Sequence, residues 1–120
     1  MATILIHLTR GPEDPTTASL GFLVAKTGLE QGHRVSVFLA GEAVRLILNE
    51  QLEGLEGLGT GKLGEHYEAI VAGGGRFYVS GMSSKARGIG EDALEGKPAE
   101  FSMPDVLVRL ATEADTVVTY

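Results

Sequence analysis

Ile4 to Leu8 is an apolar run interrupted only by His7, the pattern of a strand buried on both faces. After it, Thr9-Arg10-Gly11-Pro12-Glu13-Asp14-Pro15 is a turn-rich loop whose prolines hold off a helix until after Pro15. From about Thr16, the positions Ala18, Phe22, Ala25 and Leu29 recur at helical spacing, and Gly32 supplies the stop. Val35-Ser36-Val37-Phe38-Leu39 reads as the second strand, closed by Ala40-Gly41. Glu42 to Leu48 predicts a short helix with Val44, Ile47 and Leu48 inward. Glu50 to Gly64 has no clean period and predicts mostly loop.

Glu65 to Gly73 fits a helix through Tyr67, Ile70 and Val71, and Arg76-Phe77-Tyr78-Val79 fits a third strand. After the Ser80 turn, Ser83 or Ser84 is the expected cap of a short helix ending near Gly88 or Gly90. Glu91 to Pro98 is expected as polar loop and Ala99-Glu100-Phe101 as a minimal strand. Ser102-Met103-Pro104-Asp105 has capping-box spacing ahead of a helix with Val106, Leu107, Leu110 and Ala114 inward. Thr116 to Tyr120 predicts a last strand. Alternating strands and helices with short connections imply an α/β fold: a three-layer α/β/α sandwich around a mostly parallel sheet of about five strands. No internal repeat or low-complexity tract interrupts it. A chain ending in an apolar edge strand at Tyr120 adds an expectation of oligomerisation.

Composition narrows the function classes. The chain has 120 residues, with 16 acidic against 10 basic side chains and a formal charge of −6. The length suits one domain over residues 1–120, and the acidic balance without a basic aromatic stripe argues against nucleic acid as a partner. The start carries neither a signal peptide nor a membrane span, so a cytoplasmic protein is expected. There is no cysteine. Disulfides, thiolate metal sites and thiol nucleophiles are therefore ruled out, and His7, His33 and His66 are too dispersed for a metal signature. No cofactor is expected.

The candidate chemistry lies at the Ser80 turn. Val79-Ser80-Gly81-Met82-Ser83-Ser84-Lys85-Ala86-Arg87-Gly88 follows a strand, at the end where parallel sheets place ligands. Lys85 and Arg87 read as cations in the first turn of the next helix, an electrostatic mismatch that an anion would relieve. His7 stands near the carboxyl end of its own strand, and the residues of interest are His7, Thr9, Arg10, Ser80, Gly81, Met82, Ser83, Ser84 and Lys85. A hydrogen-bonded core histidine and capping serines are the plainer roles for His7 and the serines. Gly59-Thr60-Gly61-Lys62-Leu63-Gly64 matches a dinucleotide-loop pattern, but no strand precedes it, and Leu63 follows Lys62 where a phosphate loop has serine or threonine. A flexible connector explains it better.

Two stretches carry a family likeness. The Thr9 to Pro15 loop with the Gly32 to Val44 segment, and Phe77 to Ile89, resemble the small DsrE-like proteins of the DsrE/DsrF superfamily, many of which have cysteine at one or both of the places held here by Ser80 and Ser83. The resemblance spans nearly the whole chain and is weakest from Glu50 to Gly64. It implies a DsrE-like sandwich assembled as a homo-oligomer, a trimer or hexamer, with kinship to intracellular sulfur-relay proteins that carry a persulfide on a cysteine. A serine hydroxyl cannot carry sulfane sulfur, so sulfurtransferase activity does not follow. The expectation is a non-catalytic oligomer whose Ser80 pocket, facing His7 and the Thr9 to Asp14 loop, binds a small anion or a partner, with a sulfur-relay protein as one candidate. The alternatives are an enzyme using Ser80 with His7 as base, and an assembly or regulatory subunit of a sulfur-trafficking complex.

Overall fold

A computed structural model describes all 120 residues. Five parallel strands form one sheet: β1 (Thr3–Leu8), β2 (Arg34–Leu39), β5 (Arg76–Ser80), β6 (Ala99–Ser102) and β7 (Thr116–Thr119), in the order β6-β5-β2-β1-β7. Helices α1 (Pro15–Glu30), α2 (Asn49–Gly54), α3 (Leu63–Ala72), α4 (Gly81–Ala86) and α5 (Pro104–Glu113) connect them. A hairpin of β3 (Glu56–Gly57) and β4 (Gly61–Lys62) lies between α2 and α3. The crossovers from β1 to β2, β2 to β5 and β5 to β6 all step the same way, whereas β6 to β7 steps back across the whole sheet. Right-handed connections therefore put α1, α3 and α4 on one face and α5 on the other. The expected five-strand α/β/α sandwich is the observed fold.

The face under α1 and α3 holds the main core. Ile6, Leu8, Val37, Leu39, Phe77 and Val79 point into it and are fully buried, together with Phe22, Leu63 and Ile70 from the helices. The Phe77 ring lies 5.5 Å from Phe22 and 5.4 Å from Tyr67. A Cβ on Gly21 would strike the Leu8 side chain, so glycine lets α1 sit close on β1. The opposite face is covered only by α5. No residue of that helix is fully buried: Val106, Leu107 and Leu110 are partly exposed, and Val108 is 62% exposed.

Several local expectations change. Helix α1 starts at Pro15 itself, because proline suits the first helical position, where its missing N–H has no partner to lose. Asp14 caps it through the Thr17 N–H. Glu42 to Leu48 is not an α-helix but a 3₁₀ turn over Gly41–Ile47, packed inward through Ala43, Val44, Leu46 and Ile47. The presumed loop from Glu50 to Gly64 contains α2 and the hairpin. A 3₁₀ turn occupies Glu91–Leu94, with Leu94 buried beneath it. The capping box at Ser102 does not form: the cap position is Met103, without a side-chain hydrogen bond.

Candidate functional site

The carboxyl ends of β1, β2 and β5 meet at one rim. Ser80 ends β5 and is itself the cap of α4, its Oγ accepting the Ser83 N–H at 3.2 Å. The expected caps Ser83 and Ser84 lie one turn further in. Ser83 Oγ instead accepts the N–H of Gly41 at 2.9 Å, tying α4 to the turn after β2. Gly41 has φ +58°, a conformation favouring glycine, which turns that N–H toward α4.

This register also overturns the cation argument. Lys85 lies in the last turn of α4 and Arg87 at its C-cap, where positive charge complements the helix dipole. Arg87 is moreover paired: its Nη2 is 2.7 Å from Glu42 Oε1, its Nε donates to the same oxygen at 2.8 Å, and its Nη1 donates to the Ser83 carbonyl at 3.0 Å. Glu42 also takes Arg45 Nε at 2.9 Å. The hydrogen bond from Arg87 is the main reason the Glu42 carboxyl is held below its ordinary range. Glu42 is the organising residue that sequence reasoning missed. Its tie to Arg45 was legible as i,i+3 spacing, but its tie to Arg87 exists only in the fold.

The Thr9 to Asp14 loop reaches the same turn from the other side. A Cβ on Gly11 would collide with the Glu42 carbonyl, so the loop is pressed onto that backbone. Thr9 donates its N–H at 3.0 Å and its hydroxyl at 3.1 Å to the Tyr120 carbonyl, closing the loop onto β7. Arg10 is exposed, 3.9 Å from Asp14. The Gly41–Glu42 turn thus stands between the loop and α4.

His7 is not part of this assembly. In register it lies beside Phe38, which lies beside Tyr78, so β2 separates its strand from β5. Two strand spacings and two further residues put its Cα about 12 Å from that of Ser80, too far for the imidazole to come within the ~3 Å of the Ser80 hydroxyl that a general base requires. Its ring contacts Phe38 edge-on with centroids 6.0 Å apart, and burial lowers its pKa. The buried Nε2 has no protein partner, so the ring is not the hydrogen-bonded core histidine expected.

Two further hydroxyls near the turn are sealed without partners. Ser84 is 1% exposed and Ser102, in register with Ser80, is 6% exposed, and neither Oγ finds an acceptor or donor. Gly81, Ser84, Lys85, Ile89, Glu91 and Phe101 line a shallow, largely apolar cavity of about 270 Å³. Above the turn the surface is apolar: Met82 is 59% and Met103 51% exposed, and Met103 packs over Gly81. A larger cavity of about 560 Å³ lies at the opposite rim, lined by Arg34, Arg76, His33 and the Gly73-Gly74 turn after α3. No three histidine, aspartate or glutamate side chains converge to hold a metal.

Over residues 2–120 the sequence fits the model of the DsrE/DsrF-like family. The chain belongs to that family. No curated protein matches it. Among solved structures it is similar to the ychN protein from E. coli, at 21% identity and TM-score 0.82 with both chains wholly covered. It is also similar to a protein of unknown function from Methanobacterium thermoautotrophicum, at 17% identity and TM-score 0.72 with both chains wholly covered. A third likeness is to a conserved protein of unknown function from Bacteroides thetaiotaomicron, at 13% identity and TM-score 0.71, covering 99% of this chain and 95% of that one. At these identities the likeness is one of fold. In this DsrE/DsrF-like chain Ser80 caps α4 and Ser83 braces it against the Gly41 turn.

Proposed function

We propose that this DsrE/DsrF-like chain, a single domain over residues 1–120, has no sulfur-carrying step of its own and works as a homo-oligomeric, partner-binding relative of the sulfur-relay proteins. One observation carries the reading. Three polar groups at the Ser80 turn are used internally, Ser80 on Ser83, Ser83 on Gly41 and Arg87 on Glu42, while Met82 and Met103 stand exposed above them. A small-anion site loses its support with Arg87 neutralised. An apolar rim on a braced turn suits a protein partner instead, because exposed methionines adapt to the surface they meet. A sulfur-relay protein is the partner class that family kinship suggests. The sparsely covered α5 face suits contact with further copies of the chain.

The chemistry is tested by exposing the protein to inorganic polysulfide and measuring intact mass. Wild type should gain no sulfur atom, whereas Ser80→Cys, with a thiol at a helix N-terminus, should. Sulfur uptake by wild type would overturn the reading. Light scattering should return a multiple of the 12.6 kDa chain, and a monomer at micromolar concentration would remove the oligomeric part. For the partner role, Met82→Asp with Met103→Asp should abolish retention of proteins from the native cell extract that wild type retains. Equal retention by the variant would place the contact elsewhere.

A further inference from the structure

Leu58, at the tip of the β3–β4 hairpin, is 89% exposed, yet the fold holds it in place from several directions. Two-residue strands have no stability of their own. The hairpin stands because its N–H at Leu58 donates to Thr16 Oγ1 at 3.0 Å and Ser19 Oγ lies 2.8 Å from both the Thr60 and Gly61 carbonyls. Buried His66 adds its Nε2 at 2.7 Å from the Thr60 carbonyl. Gly59 and Gly61 have φ +76° and +87°, and a Cβ on Gly57 would strike Thr60 and Ser19. A lone exposed leucine needs no explanation. A leucine fixed in this way is preorganised for contact, because the ordering that binding would otherwise demand has already been met.

A matching hollow lies along the same helix. Ile4, Leu23, Val24, Thr27, Gly28 and Val118 enclose most of an apolar groove of about 440 Å³ between α1 and β7, whose outer edge pairs with no strand. The charges at the two places are opposite. Around the hairpin stand Glu53, Glu56, Glu65 and Glu68 with Lys62 as their one cation, and next to the groove-lining His33, whose Nδ1 accepts the Ala2 N–H, stands an exposed Arg34 that no carboxylate approaches within ion-pair distance. Thr16 and Thr27 are eleven residues apart on α1, about 16 Å. A two-fold axis bisecting that span brings each copy's knob to the other's groove and closes the contact.

We propose that Leu58 and the α1–β7 groove are knob and hole of a two-fold interface between two copies of this chain, a deepening that rests on the oligomeric part of the reading above. The absence of native cysteine makes the test clean. In the double variant Leu58→Cys, Thr27→Cys, the two positions are too far apart within one chain for a disulfide, which needs Cα atoms within about 7 Å. Mild oxidation should give a covalent dimer from the double variant and from neither single variant. Leu58→Glu should reduce the solution mass and leave the far-UV circular dichroism of the folded chain unchanged, while lowering the unfolding temperature as loss of a subunit contact requires. A dimer from Leu58→Cys alone, or an oligomer that gives no double-variant cross-link and keeps its mass in Leu58→Glu, overturns this interface and leaves the oligomer standing. A monomeric wild type overturns both.

Discussion

Ser83 and Ser84 are neighbours on α4, and replacing each by alanine should move stability in opposite directions. Ser84 Oγ is sealed from solvent without a protein partner, and a buried polar group left unpaired costs about 1–3 kcal/mol. Alanine removes that cost and improves helix propensity by a few tenths of a kcal/mol. Against this stands the lost packing of one oxygen atom, below about 1 kcal/mol. Ser84→Ala should therefore stabilise by about 1 kcal/mol. Ser83→Ala does the reverse: it strips the acceptor from the Gly41 N–H and should destabilise by about 1 kcal/mol. For 120 residues the unfolding entropy is about 0.25 kcal/mol/K, so each change amounts to ~4 °C in melting temperature. Calorimetry and urea titration of both variants against wild type would measure it, at a concentration where all three have the same oligomeric mass. A Ser84→Ala protein less stable than wild type by 1 kcal/mol or more would refute the reasoning, since the hydroxyl would then have a use that its surroundings do not show.

The remaining expectations concern the same rim. Gly11→Ala should cost about 2 kcal/mol or more, because its Cβ meets backbone at the Glu42 carbonyl and not a yielding side chain; an unchanged urea midpoint would contradict the close approach. Glu42 has its carboxyl held below its ordinary 4.5, first by the Arg87 hydrogen bond. The native state therefore binds fewer protons in acid than the unfolded chain, and the stability this confers is complete above the ordinary value and lost as pH falls through the lowered one. Wild type should thus lose stability more steeply than Glu42→Gln between about pH 6 and about pH 3, and parallel curves would show that the pair contributes nothing.

How far the rim could be read from residue order depends on the range of each contact. The strands β1, β2 and β5 were legible because Ile4 to Leu8, Val35 to Leu39 and Phe77 to Val79 are apolar runs bounded by turn residues, a local pattern. The hairpin was not, since Glu56–Gly57 and Gly61–Lys62 carry no strand pattern and stand only through Thr16, Ser19 and His66. The cap of α4 slipped by one turn for a related reason. Ser80, Ser83 and Ser84 have equal local claims, and the Gly41 N–H, 42 residues away, decides between Ser83 as cap and Ser83 as acceptor. His7 looked close to Ser80 because both sit near strand ends, but strand order put β2 between them.

By itself the sequence determined the alternation of strands and helices, the likeness to DsrE-like proteins, and the exclusion of thiol chemistry, because periodicity, motif order and residue chemistry are properties of the chain alone. Only the tertiary structure decided which polar groups meet. Ion pairing and capping depend on geometry at a few ångströms, and chain neighbours do not specify the approach of residues such as Glu42 and Arg87, 45 positions apart. That approach braces the Ser80 turn through Arg87 and Glu42 beneath two exposed methionines.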